Sequence, residues 1–248
     1  MDSILIFLTF LLAAILSSMS GAGTSIITLP VLISFGVSLP TAIAINQITG
    51  AFWVLPASYN YLKNRKKDWY FMVFFTLIGF VGVYLGVATN INIEQRYLEI
   101  VIGLIIIGLV VYTYLNKGLG LKETDKKRST LQKLASYPFA LALGFYESFF
   151  GSGNGILFTI TTFHTRGFDF IDALGHYYFI VFFWVLFSSF LYVKSGFYDL
   201  GLTIPAVIGG ALGGFIGSKL GSYKGNKTIK IVFVLLGSFL GLKLILGF

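Results

Sequence analysis

The sequence predicts an all-α, polytopic membrane protein, and three observations carry that expectation. Apolar runs recur along the whole chain, each of about 20 residues and so long enough to cross a hydrocarbon layer of roughly 30 Å as a helix. Hydrophobic residues make up 56% of the chain and charged ones only 11%, with a mean hydropathy of +0.85, more apolar surface than a water-soluble fold of this size can bury. The alternation of a membrane β-barrel is absent, and lipid offers backbone N–H and C=O groups no partner, so helices must be the spanning element.

Taken in order, residues 4–19 form an apolar segment that ends in Ser17, Ser18 and Ser20 and runs into Gly21-Ala22-Gly23. The segment lacks the basic start and small-residue cleavage site of a signal peptide, with Asp2 as its one early charge, so it is expected to stay in the protein. A shorter stretch, 24–36, contains Pro30 and stops at Gly36. Long helices are expected at 40–62, 69–89 and 96–116. A polar linker, 117–131, carries Lys117, Lys122, Glu123, Asp125, Lys126, Lys127 and Arg128. The pattern then returns, with an apolar stretch at 132–149 and a glycine break at Gly151-Ser152-Gly153-Asn154-Gly155. A short stretch at 154–165 and long helices at 170–193, 199–220 and 227–246 complete it.

The return is visible residue by residue. A shift of 131 positions pairs Gly36 with Gly167, Ala42 with Ala173, Ser58 with Ser189, Tyr61 with Tyr192, Lys63 with Lys194 and Asp68 with Asp199. It also pairs Gly79, Gly82 and Gly86 with Gly210, Gly213 and Gly217, and Phe52-Trp53-Val54-Leu55 with Phe183-Trp184-Val185-Leu186. At a shift of 130, Gly21 and Gly23 match Gly151 and Gly153. Two homologous repeats follow as the expectation: 1–116 as a first transmembrane repeat, 117–131 as a basic cytoplasmic linker and 132–248 as a second repeat.

Each repeat opens with two apolar pieces around a glycine turn, too long together for one crossing and short for two. Read as two crossings, the pair makes the repeats parallel; read as a re-entrant hairpin, it leaves three transmembrane helices per repeat and makes them inverted. The hairpin places fifteen Lys and Arg on one face, including the 63–67 cluster, the linker, Arg166 and Lys219 to Lys230, against Arg96, Lys194 and Lys243 on the other. Short cytoplasmic loops collect Lys and Arg, so the charges favour inversion, with both termini extracytoplasmic. The same logic assigns the net charge of +8 to orientation in the bilayer rather than to nucleic acid. With no Cys in the chain, disulfides, thiolate metal sites and cysteine nucleophiles are excluded together.

Candidate chemistry gathers at the breaks. Non-helical backbone at membrane depth is tolerated only where protein or a watery cavity surrounds it. Each break begins a new short helix, with Thr24-Ser25 and Asn154 as candidate caps. A helix start carries free N–H groups and a partial positive charge of about half a unit, so two starts aimed at one point form an anion site without a buried Lys or Arg. Gly21, Gly23, Thr24, Ser25, Gly151, Ser152, Gly153, Asn154 and Gly155 are the candidate binding loops. Asn46 and Gln47, with Tyr177 and Tyr178 at the shifted positions and His176 beside them, are candidate donors to a small oxyanion. Interhelical hydrogen bonding is the competing role for these side chains. Glu147, four residues before Gly151, is a candidate proton carrier, with a helix cap or the cavity mouth as the other reading. Arg166, His164 and Asp169 read as a solvated loop, Asp68 and Asp199 as helix-start charges, and Trp53 and Trp184 as packing.

Residues 21–42, GAGTSIITLPVLISFGVSLPTA, resemble the first-repeat signature of the TauE/SafE sulfite exporter family: a glycine cluster, a short run to Pro30, then Gly36 and Ala42. GSGNGILF through Gly167 and Ala173 is similar to its second copy, and the resemblance covers essentially the whole chain. It implies an inner or plasma membrane permease for sulfite, sulfonates or related organosulfur anions, with Gly21, Gly23, Gly151 and Gly153 as binding-loop residues. Ala22, Thr24, Asn154 and Ile160 depart from the pattern, which bears on the substrate more than on the fold.

The expected function is therefore a secondary carrier for a small anion, with the bilayer and possible coupling protons as its partners and no cofactor. A channel or a non-transporting membrane subunit stays open on the sequence. A membrane-embedded enzyme would need a nucleophile–base or metal constellation, which two His and scattered carboxylates do not supply.

Overall fold

The computed structural model describes residues 3–90, 96–122, 128–149 and 151–247; Asp2 and the linker positions Glu123, Asp125, Lys126 and Lys127 lie outside them. Among the described residues the chain is helical throughout: α1 (Ser3–Ser20), α2 (Ser25–Ser34), α3 (Leu39–Leu62), α4 (Trp69–Asn90), α5 (Arg96–Leu115), α6 (Thr130–Leu134), α7 (Pro138–Phe149), α8 (Asn154–Arg166), α9 (Phe170–Lys194) and α10 (Leu200–Leu246).

Short polar side chains start the long helices. Ser38 Oγ accepts from Thr41 N at the head of α3, and Asp169 Oδ1 accepts from Asp172 N at the head of α9. Asp68 Oδ1 accepts from Phe71 N before α4, and Asp199 Oδ1 accepts from Leu202 N before α10. Each acceptor satisfies a backbone donor that the helix itself cannot.

One boundary differs from the expectation. The stretch 132–149 is not one helix: a capping box between Ser129 and Gln132 starts the short α6, and the chain turns at Ala135–Tyr137 before α7. Pro138 explains the break, since it has no N–H to donate and disfavours helical backbone at the preceding residue. The helices expected at 199–220 and 227–246 are present as the two arms of α10, which meet at a kink where Gly225 leaves helical backbone (φ 79°, ψ 178°). One glycine suffices as the joint because it alone adopts that backbone freely.

Four helices among the described residues, α1, α4, α9 and α10, are long and apolar enough to cross a membrane. Leu5, Leu8, Leu12 and Leu16 of α1 are exposed along one face, as a lipid-facing stripe requires. The chain is thus a multi-pass helical membrane protein. The 24-residue α3 is less apolar because it carries Asn46, Gln47, Thr49, Ser58 and Asn60, all buried.

At the centre α3 and α9 run antiparallel. Gly50 faces Val185, and further along α3 the Ser58 hydroxyl donates to Gly175 O at 2.9 Å, so rising numbers on one helix meet falling numbers on the other. Outside this pair, α1 packs on α10 and α7 packs on α4, backbone against backbone. A Cβ on Gly82 would strike Leu141 O and one on Gly86 would strike Phe145 O. At the positions shifted by 131, a Cβ on Gly213 would strike Leu11 O and one on Gly217 would strike Ile15 O. Close approach of this kind is what small residues provide between membrane helices. Two tyrosines seal the ends of the outer helices: Tyr61 Oη donates to Ser18 O at 2.9 Å, and Tyr192 Oη donates to Ser148 O at 3.0 Å.

Candidate functional site

The two glycine breaks are buried and touch each other. Gly21 (φ 74°) and Gly23 (φ 81°) turn α1 into α2, and Gly151 (φ 71°) and Gly153 (φ 81°) turn α7 into α8. Left-handed backbone suits glycine alone, and the contacts also leave no room for a side chain. A Cβ on Gly23 would strike Gly151 O, and one on Gly21 would lie 3.0 Å from Gly155 C. Gly153 N donates to Ala22 O at 2.6 Å, and Ser152 Oγ donates to Ser25 Oγ at 2.8 Å.

The expected caps are not caps. Thr24 holds the N-cap position of α2 in helical backbone (φ −74°, ψ −29°), and its hydroxyl donates to Asn46 Oδ1 at 2.8 Å. Gly153, which has no side chain, holds the N-cap position of α8; Asn154 Nδ2 donates instead to Leu143 O at 3.0 Å and Glu147 Oε2 at 2.7 Å. Both side chains find buried partners across the fold, so neither helix start has a side-chain acceptor.

Hydrogen bonds tie the breaks to the central helices. Asn46 Oδ1 accepts from Thr28 Oγ1 at 2.9 Å as well as from Thr24. Gln47 Nε2 donates to Glu147 O at 2.8 Å, and Tyr177 Oη donates to Glu147 Oε2 at 2.8 Å. Glu147 is 6% exposed, and two hydrogen bonds to one oxygen compensate part of the cost of burying its carboxyl group.

These groups surround a cavity lined by Gly23, Thr24, Asn46, Gln47, Gly50, Trp53, Val54, Glu147, Gly151, Tyr177, Val181 and Val185. Its volume, about 20 Å³, holds about one water molecule. A polyatomic anion enters only if the walls part. A larger cavity of about 650 Å³ lies between α5, α7 and α8, but Ile105, Leu109, Phe139, Leu157 and similar side chains give it little to offer an anion.

Of the residues singled out in the sequence, Gly23, Thr24, Asn46, Gln47, Gly151, Tyr177 and Glu147 therefore share one cavity wall. Gly21, Ser25, Ser152, Gly153 and Gly155 form the contact between the breaks, while Asn154 bonds within its own half, to Leu143 O and Glu147 Oε2. His176 lies apart: its Nε2 accepts from Asp68 N at 3.0 Å and its Nδ1 is 2.7 Å from Asp172 O, which the Nδ1–H tautomer satisfies at both nitrogens. Tyr178 Oη donates to Ser17 O and fastens the end of α1.

Sequence reasoning passed over Thr28, whose signal is its place four residues after Thr24 on one helix face. Trp53, read as packing, does pack in the core, its ring centre 5.2 Å from that of Tyr178; it also lines the cavity, with its indole N–H buried without a partner, whereas Trp184 Nε1 donates to Thr76 O at 3.0 Å. Asp68, Asp169 and Arg166 are also not the solvated or dipole-only charges expected. Arg166 Nη1 donates to Asp68 Oδ2 at 2.7 Å and Arg65 Nη1 to Asp169 Oδ2 at 3.0 Å. No cluster of His, Asp and Glu that could hold a metal ion occurs among the described residues.

Helices of spanning length packed around a polar interior cavity make a multi-pass membrane protein. The family model for the sulfite exporter TauE/SafE matches residues 6–244, and the chain belongs to that family. It is similar to a probable membrane transporter protein of Haemophilus influenzae (strain Rd), 24% identical over 243 residues that cover 97% of this chain and 93% of that one. It is likewise similar to the probable membrane transporter protein YfcA of Escherichia coli (strain K12), 24% identical over 244 residues, 97% of this chain and 88% of that one. No solved structure matches. The protein is a membrane transporter and not an enzyme.

Proposed function

We propose that the chain is a secondary carrier for a small anion, sulfite or an organosulfur compound such as a sulfonate, working by alternating access. The observation that carries this reading is the meeting of the two glycine breaks, whose helices start without side-chain caps, with Gly23, Thr24 and Gly151 on the wall of a cavity also lined by Asn46, Gln47 and Tyr177. Helix starts favour negative charge, and the Asn46 and Gln47 amides can direct N–H groups at it; the Tyr177 hydroxyl, given to Glu147 here, becomes a donor once that bond is released. In this reading the cavity is the site in a closed conformation, near the bilayer midplane.

The carrier is read as two inverted repeats, 1–116 and 132–248, joined by a cytoplasmic linker at 117–131, each opening with a re-entrant hairpin. The antiparallel course of α3 and α9 supports this, since the 131 shift pairs these two helices. Further support comes from the contacts of Gly82 and Gly86 recurring at Gly213 and Gly217, and from the Tyr61 and Tyr192 bonds recurring at Ser18 and Ser148. Glu147 carries the coupling proton: an ionised carboxylate on the cavity wall would repel the cargo, and the protonated form would not. The termini are extracytoplasmic and the membrane is the plasma or inner membrane.

Uptake into proteoliposomes of sulfite, thiosulfate, sulfate and several sulfonates, with and without a pH gradient, tests the reading. Saturable counterflow of at least one of them is expected. Absence of transport for every anion would remove the anion assignment, and conduction in planar bilayers at rates beyond any carrier would replace it with a channel.

A further inference from the structure

Two arginines and three aspartates form a crossed pattern at one face of the molecule. Arg65, in the turn between α3 and α4, donates from Nη1 to Asp169 Oδ2 at 3.0 Å and to Asp172 Oδ2 at 3.3 Å, at the head of α9. Arg166, at the end of α8, donates in the opposite sense to Asp68 Oδ2 at 2.7 Å, just before α4. Each half of the chain thus gives an arginine to the other half's aspartate.

The surroundings make these more than surface pairs. The side chains of Arg166, Asp169 and Asp172 are 5%, 4% and 8% exposed, while Arg65 and Asp68 are about a third exposed, at 33% and 37%. The Arg166 guanidinium lies 3.7 Å above the centre of the Phe71 ring. Asn226, beside the Gly225 joint of α10, donates to Asp169 Oδ2 at 2.9 Å and to Leu121 O at 3.1 Å. The turn after α3, the α8–α9 connection, the joint of α10 and the start of the linker are thereby held in one network.

Repeat symmetry supplies no counterpart on the opposite face. The 131 shift takes Arg65 to Gly196, Arg166 to Phe35, Asp169 to Ser38 and Asp172 to Thr41. Only Asp68 keeps a charged equivalent, Asp199, and that carboxylate caps α10. An opening on the crossed face must part the end of α3 from the head of α9 and strand nearly buried carboxylates without their arginines, which is strongly unfavourable. Among the described residues, the repeat-equivalent positions on the other face hold no such pair.

We infer that the reciprocal pairs Arg65–Asp169/Asp172 and Arg166–Asp68 are a latch that keeps the face bearing the 63–68 turn shut, so that the resting protein opens by preference to the other side. The inference rests on the two-repeat carrier reading above and names the gate that reading leaves undefined.

Because the chain has no Cys, Val181→Cys on the cavity wall gives a single reporter for a membrane-impermeant thiol reagent applied to either face of oriented vesicles. In the reporter protein, labelling is expected to be faster from the unlatched face. Adding Arg65→Gln should raise the rate from the latched face by about tenfold or more, the change that about 1.4 kcal/mol of lost closing energy produces. Arg65→Lys, which keeps the charge, should stay near the parent. A properly folded Arg65→Gln protein with an unchanged latched-face rate overturns the latch. Should that variant not fold, Asp68→Asn on the reporter serves instead: it keeps the oxygen that caps Phe71 N but removes the charge paired with Arg166, so it must speed latched-face labelling, and no response overturns the latch equally. Labelling needs no substrate, so the result is readable even if every tested anion fails to be transported.

Discussion

Ser152 and Ser25 share a hydrogen bond of 2.8 Å between their hydroxyls, although 127 positions separate them in the chain. The bond joins the residue between Gly151 and Gly153 to the first helical residue after Gly23. It holds together two bends that neither half of the sequence could stabilise alone.

Gly23→Ala and Gly36→Ala separate strain from contact. Both residues have left-handed backbone, φ 81° and 79°, but a Cβ on Gly36 meets nothing within 4 Å while one on Gly23 strikes Gly151 O. Gly36→Ala should cost about 1 kcal/mol and leave transport intact. Gly23→Ala should cost more, by about 1–3 kcal/mol for overpacking, and abolish transport. Thermal unfolding in detergent and proteoliposome counterflow measure the two; equal effects would mean that the bends need no contact.

Glu147→Gln keeps the shape of the side chain and an oxygen that accepts from Tyr177 and Asn154, but holds no exchangeable charge. Counterflow should persist while the stimulation by a pH gradient disappears. If the gradient drives the variant as well as the parent, the proton travels elsewhere.

The two sealing tyrosines should differ. Ser18 O accepts from both Tyr61 at 2.9 Å and Tyr178 at 3.1 Å, whereas Tyr192 is the donor found for Ser148 O among the described residues. Tyr192→Phe should therefore cost about 1–3 kcal/mol for a stranded buried carbonyl, and Tyr61→Phe less. Melting temperatures of the two variants check the order.

Sidedness follows from the basic 63–67 turn. Asn64→Cys should react with impermeant reagent from the cytoplasmic side, and Ser195→Cys, in the turn between α9 and α10, from the outer side. Both reacting from one side would refute the inverted arrangement.

Much of this was legible in the chain itself. Gly21, Gly23, Gly151 and Gly153 announced the breaks because they recur at matched places in otherwise apolar runs. Asn46, Gln47 and Tyr177 were legible as polar groups at shared depth. The roles of Thr24 and Asn154 were misread because capping is a local rule, and here partners on other helices outcompete it. Pro138 carried the split between α6 and α7 openly, yet the surrounding apolar run masked it. The crossed ion pairs were invisible: Arg65 to Asp169 spans 104 positions and Arg166 to Asp68 spans 98, and no local pattern joins them. His176 looked like a ligand-facing side chain until the backbone groups that occupy both its nitrogens were known.

A polar chamber with space for a single water does not sustain a continuous file of solvent from one side to the other. On the carrier reading, this conformation gives ions no wet path through that chamber along which to run down the potential, worth about 2.3 kcal/mol per charge at 100 mV. A cell can keep many idle copies in its bilayer without draining the gradient on which every other energised process depends.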